Sequence, residues 1–313
     1  AKAMEDTAFY VYNRLVSLNE VGGDPRAFGV SVAAFHHANQ ERARDWPHAL
    51  LATATHDTKR GEDVRARIHV LSECPDAWRR RVFRWTRLNR DRRSEVDGAP
   101  APSRNDEYLL YQTLVGAWPT EPLDAAGLER FRRRIRDYMV KAVREAKVHT
   151  SWVHPNTAYE EAVTGFVDRL LSGSEQNAFL ADFLPFQRRV SRAGMLGSLA
   201  QVLLKLTAPG VPDLYQGCEL WQLRLVDPDN RRPVDYAHRE HLLRGLERES
   251  PEALLAEPDD GRIKLFYTWR LLQFRRQQPE LFREGEYLPL AAEGERAEHL
   301  CAFARRHGDR WAI

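Results

Sequence analysis

The stretch LLATATHDTKRGEDVRARI, residues 50–68, changes its hydrophobic period part-way along, which restricts what can be built around it. HALLATAT, residues 48–55, is short, apolar and bounded, the pattern of a buried strand. From Glu62 onward Val64, Ile68 and Leu71 fall on one face of a helix. Glu62 and Asp63 sit in its first turn, where carboxylates suit the helix dipole. Between the two periods stand His56 and Asp57, a polar pair at a strand end.

Elsewhere the chain is mostly helical. Residues 5–18 and 30–46 read as helices joined by the turn-rich NEVGGDP. Helical segments dominate from 62 to about 208, broken by DGAPAPSRND, WPTEPLD and HTSWVHPN. APGVPDLYQG is a second candidate strand, and helices are predicted near 237–248 and 262–277. Beyond Gly285 the alternation is strand-like, as in HLCAFARR. Buried strands separated by helices, each followed by a polar motif, point to pieces of a (β/α)8 barrel. Such barrels carry their chemistry on loops at the strand C-termini. The long helical stretch is then a subdomain inserted in one of those loops.

With 313 residues the chain can bury one large core or two ordinary ones. No run approaches the roughly 18 apolar residues of a membrane span, and no leader peptide is legible, so neither a membrane nor an exported setting is expected. Cys74, Cys218 and Cys301 are far apart, without metal-ligand spacing. A cytoplasmic protein without metal or cofactor is the expectation. A net charge of +2 gives no global pull on nucleic acid. Only six of the 47 basic residues are Lys, which draws attention to Lys2 and Lys59. The abrupt ends, RWAI among them, are expected of a piece of a longer protein.

His56-Asp57 has two readings. Asp57 can cap the following helix while His56 is a satisfied polar group. Alternatively, the pair hydrogen-bonds vicinal sugar hydroxyls, and those bonds strengthen as an oxocarbenium ion forms. The surrounding residues favour the second. THDTKRGEDVRAR resembles the signature of maltooligosyltrehalose synthases, a branch of the α-amylase superfamily. AKAMEDTAFYVYNRLVSLNEVGGDP, HTSWVHPNTAYEEA, PGVPDLYQGCELWQLRLVDPDNRRPVDY and LFREGEYLPL resemble the same family in the same order, across nearly the whole chain.

The resemblance implies an α/β fold: the C-terminal part of a (β/α)8 barrel, with a large helical insertion and the start of a C-terminal β domain. Residues 1–60 would hold a barrel strand and helices up to His-Asp, and 61–190 the inserted subdomain. Residues 191–278 would hold the last barrel strand with its helices, and 279–313 the truncated β domain. The implied reaction is an intramolecular transglucosylation that turns the reducing-end α-1,4 bond of a maltooligosaccharide into an α,α-1,1 (trehalose) bond. Asp57 would be the transition-state stabiliser and His56 a sugar ligand. Lys59 and Arg60 would build the acceptor site, with Lys2 near the same glucose. Trp152 is a candidate for sugar stacking, although core packing is its blander reading, and Tyr215 would shape the pocket. Glu219 and Asp227 follow the second strand, and DPDNRRPVD reads as a salt-bridged loop.

The superfamily's nucleophile and acid/base carboxylates are not recognisable here. Glu5-Asp6 and Glu20 lack a preceding apolar strand and the flanking pattern. The isolated chain is therefore expected to be inactive and to need the other half of the barrel as a partner. Self-association of a half barrel through open strand edges is a further expectation. A hydrolytic relative, an amylase or trehalose-releasing hydrolase, is the nearest alternative. The more distant one is an Arg-rich nucleic-acid-binding module, from WRRRVFRWTRLNRDRR at 78–93. There Trp78, Val82, Trp85 and Leu88 recur at helical spacing, which makes a buried stripe and a solvated arginine face the expectation. FRRRIRDYMVKAVREAK, 131–147, reads the same way.

Overall fold

Side chains with a 3.6-residue apolar period dominate this chain, and the computed structural model is accordingly a helix-rich α/β fold. It describes residues 2–173 and 176–313, with side chains from Met4 onward. The first half contains α1 (Lys2–Val11), α2 (Val32–Asp45), β1 (Leu50–Leu51), α3 (Glu62–Glu73), α4 (Pro75–Leu88), β2 (Ser94–Val96), β3 (Ala99–Ala101), α5 (Arg104–Ala117) and α6 (Ala125–Ala146). There follow α7 (Thr157–Leu170), α8 (Ala178–Thr207), β4 (Val211–Pro212), α9 (Tyr236–Leu246), α10 (Pro251–Ala256), α11 (Arg262–Gln277), α12 (Pro279–Arg283), β5 (Glu286–Leu290), β6 (Ala302–His307) and β7 (Arg310–Ala312). No helix among the described residues is long and apolar enough to cross a membrane.

The chain divides into two compact units, each built from separated segments. The first comprises Ala1–Arg26, His56–Gly197 and Gln222–Pro233. Its core is aromatic. Trp85 is completely buried, and the rings of Trp78, Tyr111, Phe179, Phe183 and Phe186 surround it at 5.4 to 5.9 Å. The edge-to-face and tilted geometry of these rings suits their quadrupoles. The indole Nε1 donates to Asp182 at 2.8 Å, so its one polar group is satisfied. Trp78 is buried too, and Val82 and Leu88 pack against the same core. The tryptophans are thus unavailable to stack bases, which removes the feature that made α4 resemble a nucleic-acid reader. Its arginines face a cleft of about 600 Å³, where Arg81 and Arg84 pair with Asp182.

Inside the same unit the break DGAPAPSRND forms a hairpin that periodicity did not foresee. Strands β2 and β3 pair antiparallel, with Val96 opposite Ala99. Asp97 and Gly98 between them have φ of 52° and 75°. Two successive positive φ values define the turn that matches strand twist, and Asp-Gly favours it. Ser103 then caps α5 by accepting from the Asp106 amide.

Helices α6 and α7 are tied by a buried carboxylate. Glu160 accepts from Arg144 Nε and Nη2, at 2.8 and 2.6 Å, and from the Thr150 hydroxyl at 2.7 Å. These hydrogen bonds, the Arg144 pair first, hold its carboxyl below the usual range near 4.5. A lowered folded value means stability that is present above about pH 4.5 and lost as pH falls through the folded value. We expect Glu160→Gln to destabilise the protein by about 2 kcal/mol at pH 7. The gap to the parent should close below pH 4.5, as read from urea midpoints across pH. A gap that stays constant would argue that packing, not charge, is lost.

The second unit comprises Ala27–Thr55, Ser198–Trp221 and Val234–Ile313. Both predicted strands are present but far shorter than their apolar runs. β1 and β4 pair in parallel over two residues each, Leu50 with Val211 and Leu51 with Pro212. Nor are they buried as expected: Leu50 is 74% and Val211 42% exposed. An apolar run is strand only where a neighbour completes its ladder, and here the pairing covers just two positions. The C-terminal alternation does give a sheet, with β5, β6 and β7 antiparallel in that order. Arg305 is buried behind this sheet and donates to the carbonyls of Thr207, Phe282 and Gly285.

Candidate active site

The loop 56–60 enters α3 through a glycine. Gly61 occupies the N-cap position of the helix, and no side chain caps it. Asp57 therefore does not cap this helix, which removes the blander reading of that residue. A Cβ on Gly61 would lie 2.6 Å from the Gln222 carbonyl oxygen and 3.0 Å from that of Arg224, so the two segments meet at a distance only glycine permits. The Gly61 amide donates to Arg224 O at 2.8 Å, and Arg60 bridges to Leu225. The Asn230 amide holds the His56 carbonyl at 2.9 Å, and Asp63 accepts from the Gln222 amide. Segment 222–233 thus clamps the loop from one side.

Within that clamp the sequence candidates separate. His56 is exposed and Asp57 is half-buried. Lys59 is buried, and its ammonium lies 2.7 Å from Asp6 Oδ1 and 3.6 Å from Asp57 Oδ1. The first distance is a charge-assisted hydrogen bond, whereas the second is an ion pair beyond hydrogen-bond reach. The Lys59 amide is held at 3.0 Å by each Glu20 oxygen, and Glu20 also pairs with Arg65 at 2.9 Å. Lys59 is thus fixed at both its backbone and its tip.

Arg60 faces inward rather than toward an acceptor sugar. It is 1% exposed and donates to Val16 O at 3.1 Å and Tyr138 Oη at 2.9 Å. Beside it, burial pushes the Tyr10 phenol well above its usual range, with Tyr138 adding to the effect. The side chain of Lys2 lies outside the described residues. Trp152 is 51% exposed, so it is not the core residue that its blander reading required. Its Nε1 donates to Glu145 at 2.9 Å, and the Arg144 guanidinium lies 4.8 Å from its ring centre. Tyr215 belongs to the second unit, in the turn after β4. There Glu219 pairs with Arg239 at 2.9 Å. The loop DPDNRRPVD is ion-paired as read: Asp227 with Arg231, and Asp229 with Arg134 and Arg232.

Asp6 and Glu20 are the residues that sequence reasoning passed over. Neither follows an apolar strand, the local mark of a barrel carboxylate. Their role here depends on α1 and the 3-10 turn Val16–Leu18 lying against the loop, which no local pattern reports. Among the described residues, no group of three His, Cys, Asp or Glu is placed to hold a metal ion. The arrangement is two carboxylates around one buried ammonium, with the exposed His56 preceding Asp57 in the chain; such groups can grip hydroxyls and oppose positive charge.

No protein-family model matches the chain. A putative maltooligosyl trehalose synthase of Mycobacterium tuberculosis is 43% identical over 323 aligned residues, covering all of this chain and 38% of the relative. A crystal structure of a maltooligosyl trehalose synthase superposes with a TM-score of 0.83 at 40% identity, over 96% of this chain and 38% of the other. The maltooligosyltrehalose synthase of Arthrobacter ramosus gives 0.81 at 40% identity, over 96% of this chain and 36% of that one. This chain thus spans little more than a third of the length of the proteins it matches.

Proposed function

The chain belongs to the maltooligosyltrehalose synthase family as a portion of such a protein, and on that premise we propose that it is the C-terminal part of an intramolecular transglucosylase. The enzyme would convert the reducing-end α-1,4 bond of a maltooligosaccharide to an α,α-1,1 bond. The observation that carries this reading is the Asp57 carboxylate, part-exposed at a clamped loop, 3.6 Å from the buried Lys59 ammonium. The parallel pair β1–β4 would belong to a (β/α)8 barrel completed by the rest of the protein, and the sheet β5–β7 would begin a terminal β domain.

In this scheme a carboxylate from outside the chain attacks the anomeric carbon next to the terminal glucose, while an acid protonates the leaving oxygen. Asp57 opposes the positive charge that grows on the ring, and His56 hydrogen-bonds its hydroxyls. The freed glucose is retained, turns, and offers its anomeric hydroxyl to the glycosyl-enzyme. Water competes at that moment, so the acceptor site must hold glucose and exclude solvent. An ammonium carries three donors. Lys59 gives one to Asp6, which leaves donors to steer the glucose. Arg60 would act from beneath, holding the loop to Val16 and Tyr138. Trp152 would offer aromatic surface to the sugar chain. With nucleophile and acid/base supplied by the other barrel half, the isolated chain would not turn over substrate, and its open strand edges would favour self-association.

The test is product analysis on the full-length protein fed a maltooligosaccharide. Oligosaccharide capped by an α,α-1,1 bond should dominate, and free glucose as the main product would instead establish the hydrolytic relative. In the same assay Lys59→Met should raise the hydrolysed share severalfold. An unchanged product ratio would remove Lys59 from the acceptor site.

A further inference from the structure

Three charges meet at the mouth of the clamped loop, and their geometry is unequal. The Lys59 side chain is 5% exposed, and its ammonium is hydrogen-bonded to Asp6 at 2.7 Å and stands off from Asp57 at 3.6 Å. Glu20 and Arg65 nearby neutralise each other. The group of Asp6, Lys59 and Asp57 therefore carries one net negative charge.

We propose that Asp6, on α1, is a positioning residue that holds the Lys59 ammonium off Asp57. This rests on the proposed role of Asp57. A buried ammonium needs a carboxylate partner, because an unpaired charge out of water is strongly disfavoured. If Asp6 is neutral, the nearest remaining carboxylate is Asp57, less than 1 Å beyond hydrogen-bond distance. The lysine tip then closes onto Asp57 as a direct ion pair. This removes an acceptor from the sugar and cancels the negative charge that opposes the oxocarbenium ion. Asp6 thus acts through Lys59 and touches no substrate.

The charge arithmetic makes the test specific. In the full-length enzyme, Asp6→Asn should lower turnover of maltooligosaccharide by roughly ten- to a hundredfold, with KM little changed, because a transition-state interaction is lost. Lys59→Met should lower total turnover in the parent background. In the Asp6→Asn background it should raise turnover, because it frees Asp57 again. This reversal of sign is a coupling that independent sites do not show. A double variant as slow as Asp6→Asn, or slower, overturns the proposal in favour of a merely structural Asp6. Asp6→Glu covers the case in which Asp6→Asn fails to fold. It keeps a carboxylate on the ammonium and should retain most of the rate, whereas a folded Asp6→Glu as slow as Asp57→Asn also overturns it. Asp57→Asn itself separates the two levels. If that variant is fully active, the catalytic reading fails. If it is inactive while Asp6→Asn turns over normally, only the present inference fails.

Discussion

Asp57→Asn in the full-length enzyme is expected to lower kcat by roughly 10³-fold, or about 4 kcal/mol of transition-state stabilisation. Asparagine keeps the size of the side chain and one acceptor oxygen, and loses the charge and the second acceptor. If the carboxylate opposes a growing positive charge on the sugar ring, the loss should fall on kcat and leave KM close to normal. Folding should be preserved. Asp57 is part-exposed, and the helix that follows is entered at Gly61 without a side-chain cap. The measurement is steady-state kinetics on a maltooligosaccharide, with urea midpoints of parent and variant as the folding control. A near-normal kcat would mean that Asp57 only shapes the loop.

The second large effect is on stability. Trp85→Ala should destabilise the first unit by about 3–5 kcal/mol, the range for deleting a buried large aromatic side chain. The argument is the ring of five aromatic neighbours that close on a fully buried indole. Removal leaves a cavity that such rigid rings cannot refill, and it takes away the donor to Asp182, which then keeps Arg81 and Arg84 alone. Urea unfolding followed by circular dichroism should show the midpoint falling by a large fraction. Trp85→Phe should recover part of it. An unchanged midpoint for the alanine variant would contradict the burial of this side chain. The same experiment separates the two readings of residues 78–93, because an indole displayed for base stacking would cost little to remove.

These expectations rest on features of unequal visibility. The helices α3, α4 and α6 were readable because one helix turn repeats every 3.6 residues, and Val64, Ile68 and Leu71, or Trp78 and Trp85, report it locally. The sheet of β5 to β7 was readable from alternation beyond Gly285. The hairpin of β2 and β3 was not read, although Asp97-Gly98 carries its turn chemistry, because its strands are three residues each and too short for a period to register. HALLATAT overstated its strand, since apolar character reports the wish to be buried and not the presence of a ladder partner.

At the site the same division holds. His56, Asp57 and Lys59 are contiguous, so a single motif could single them out, and similarity to the maltooligosyltrehalose synthases extends over the whole chain. Asp6 and Glu20 could not be singled out in that way. They reach Lys59 from 53 and 39 positions away in sequence, and a carboxylate on a helix looks the same whether it meets solvent or a buried ammonium. The inward turn of Arg60 toward Val16 and Tyr138 is likewise a consequence of packing between distant elements.

The sequence by itself therefore determined the helical architecture, the family and the chemical character of the loop, because each is written in residues close together in the chain. Only the tertiary structure decided which charges confront one another there, and which arginine or tryptophan is buried. A Coulomb interaction depends on distance through space and on exclusion of water, and neither quantity is set before the chain has folded.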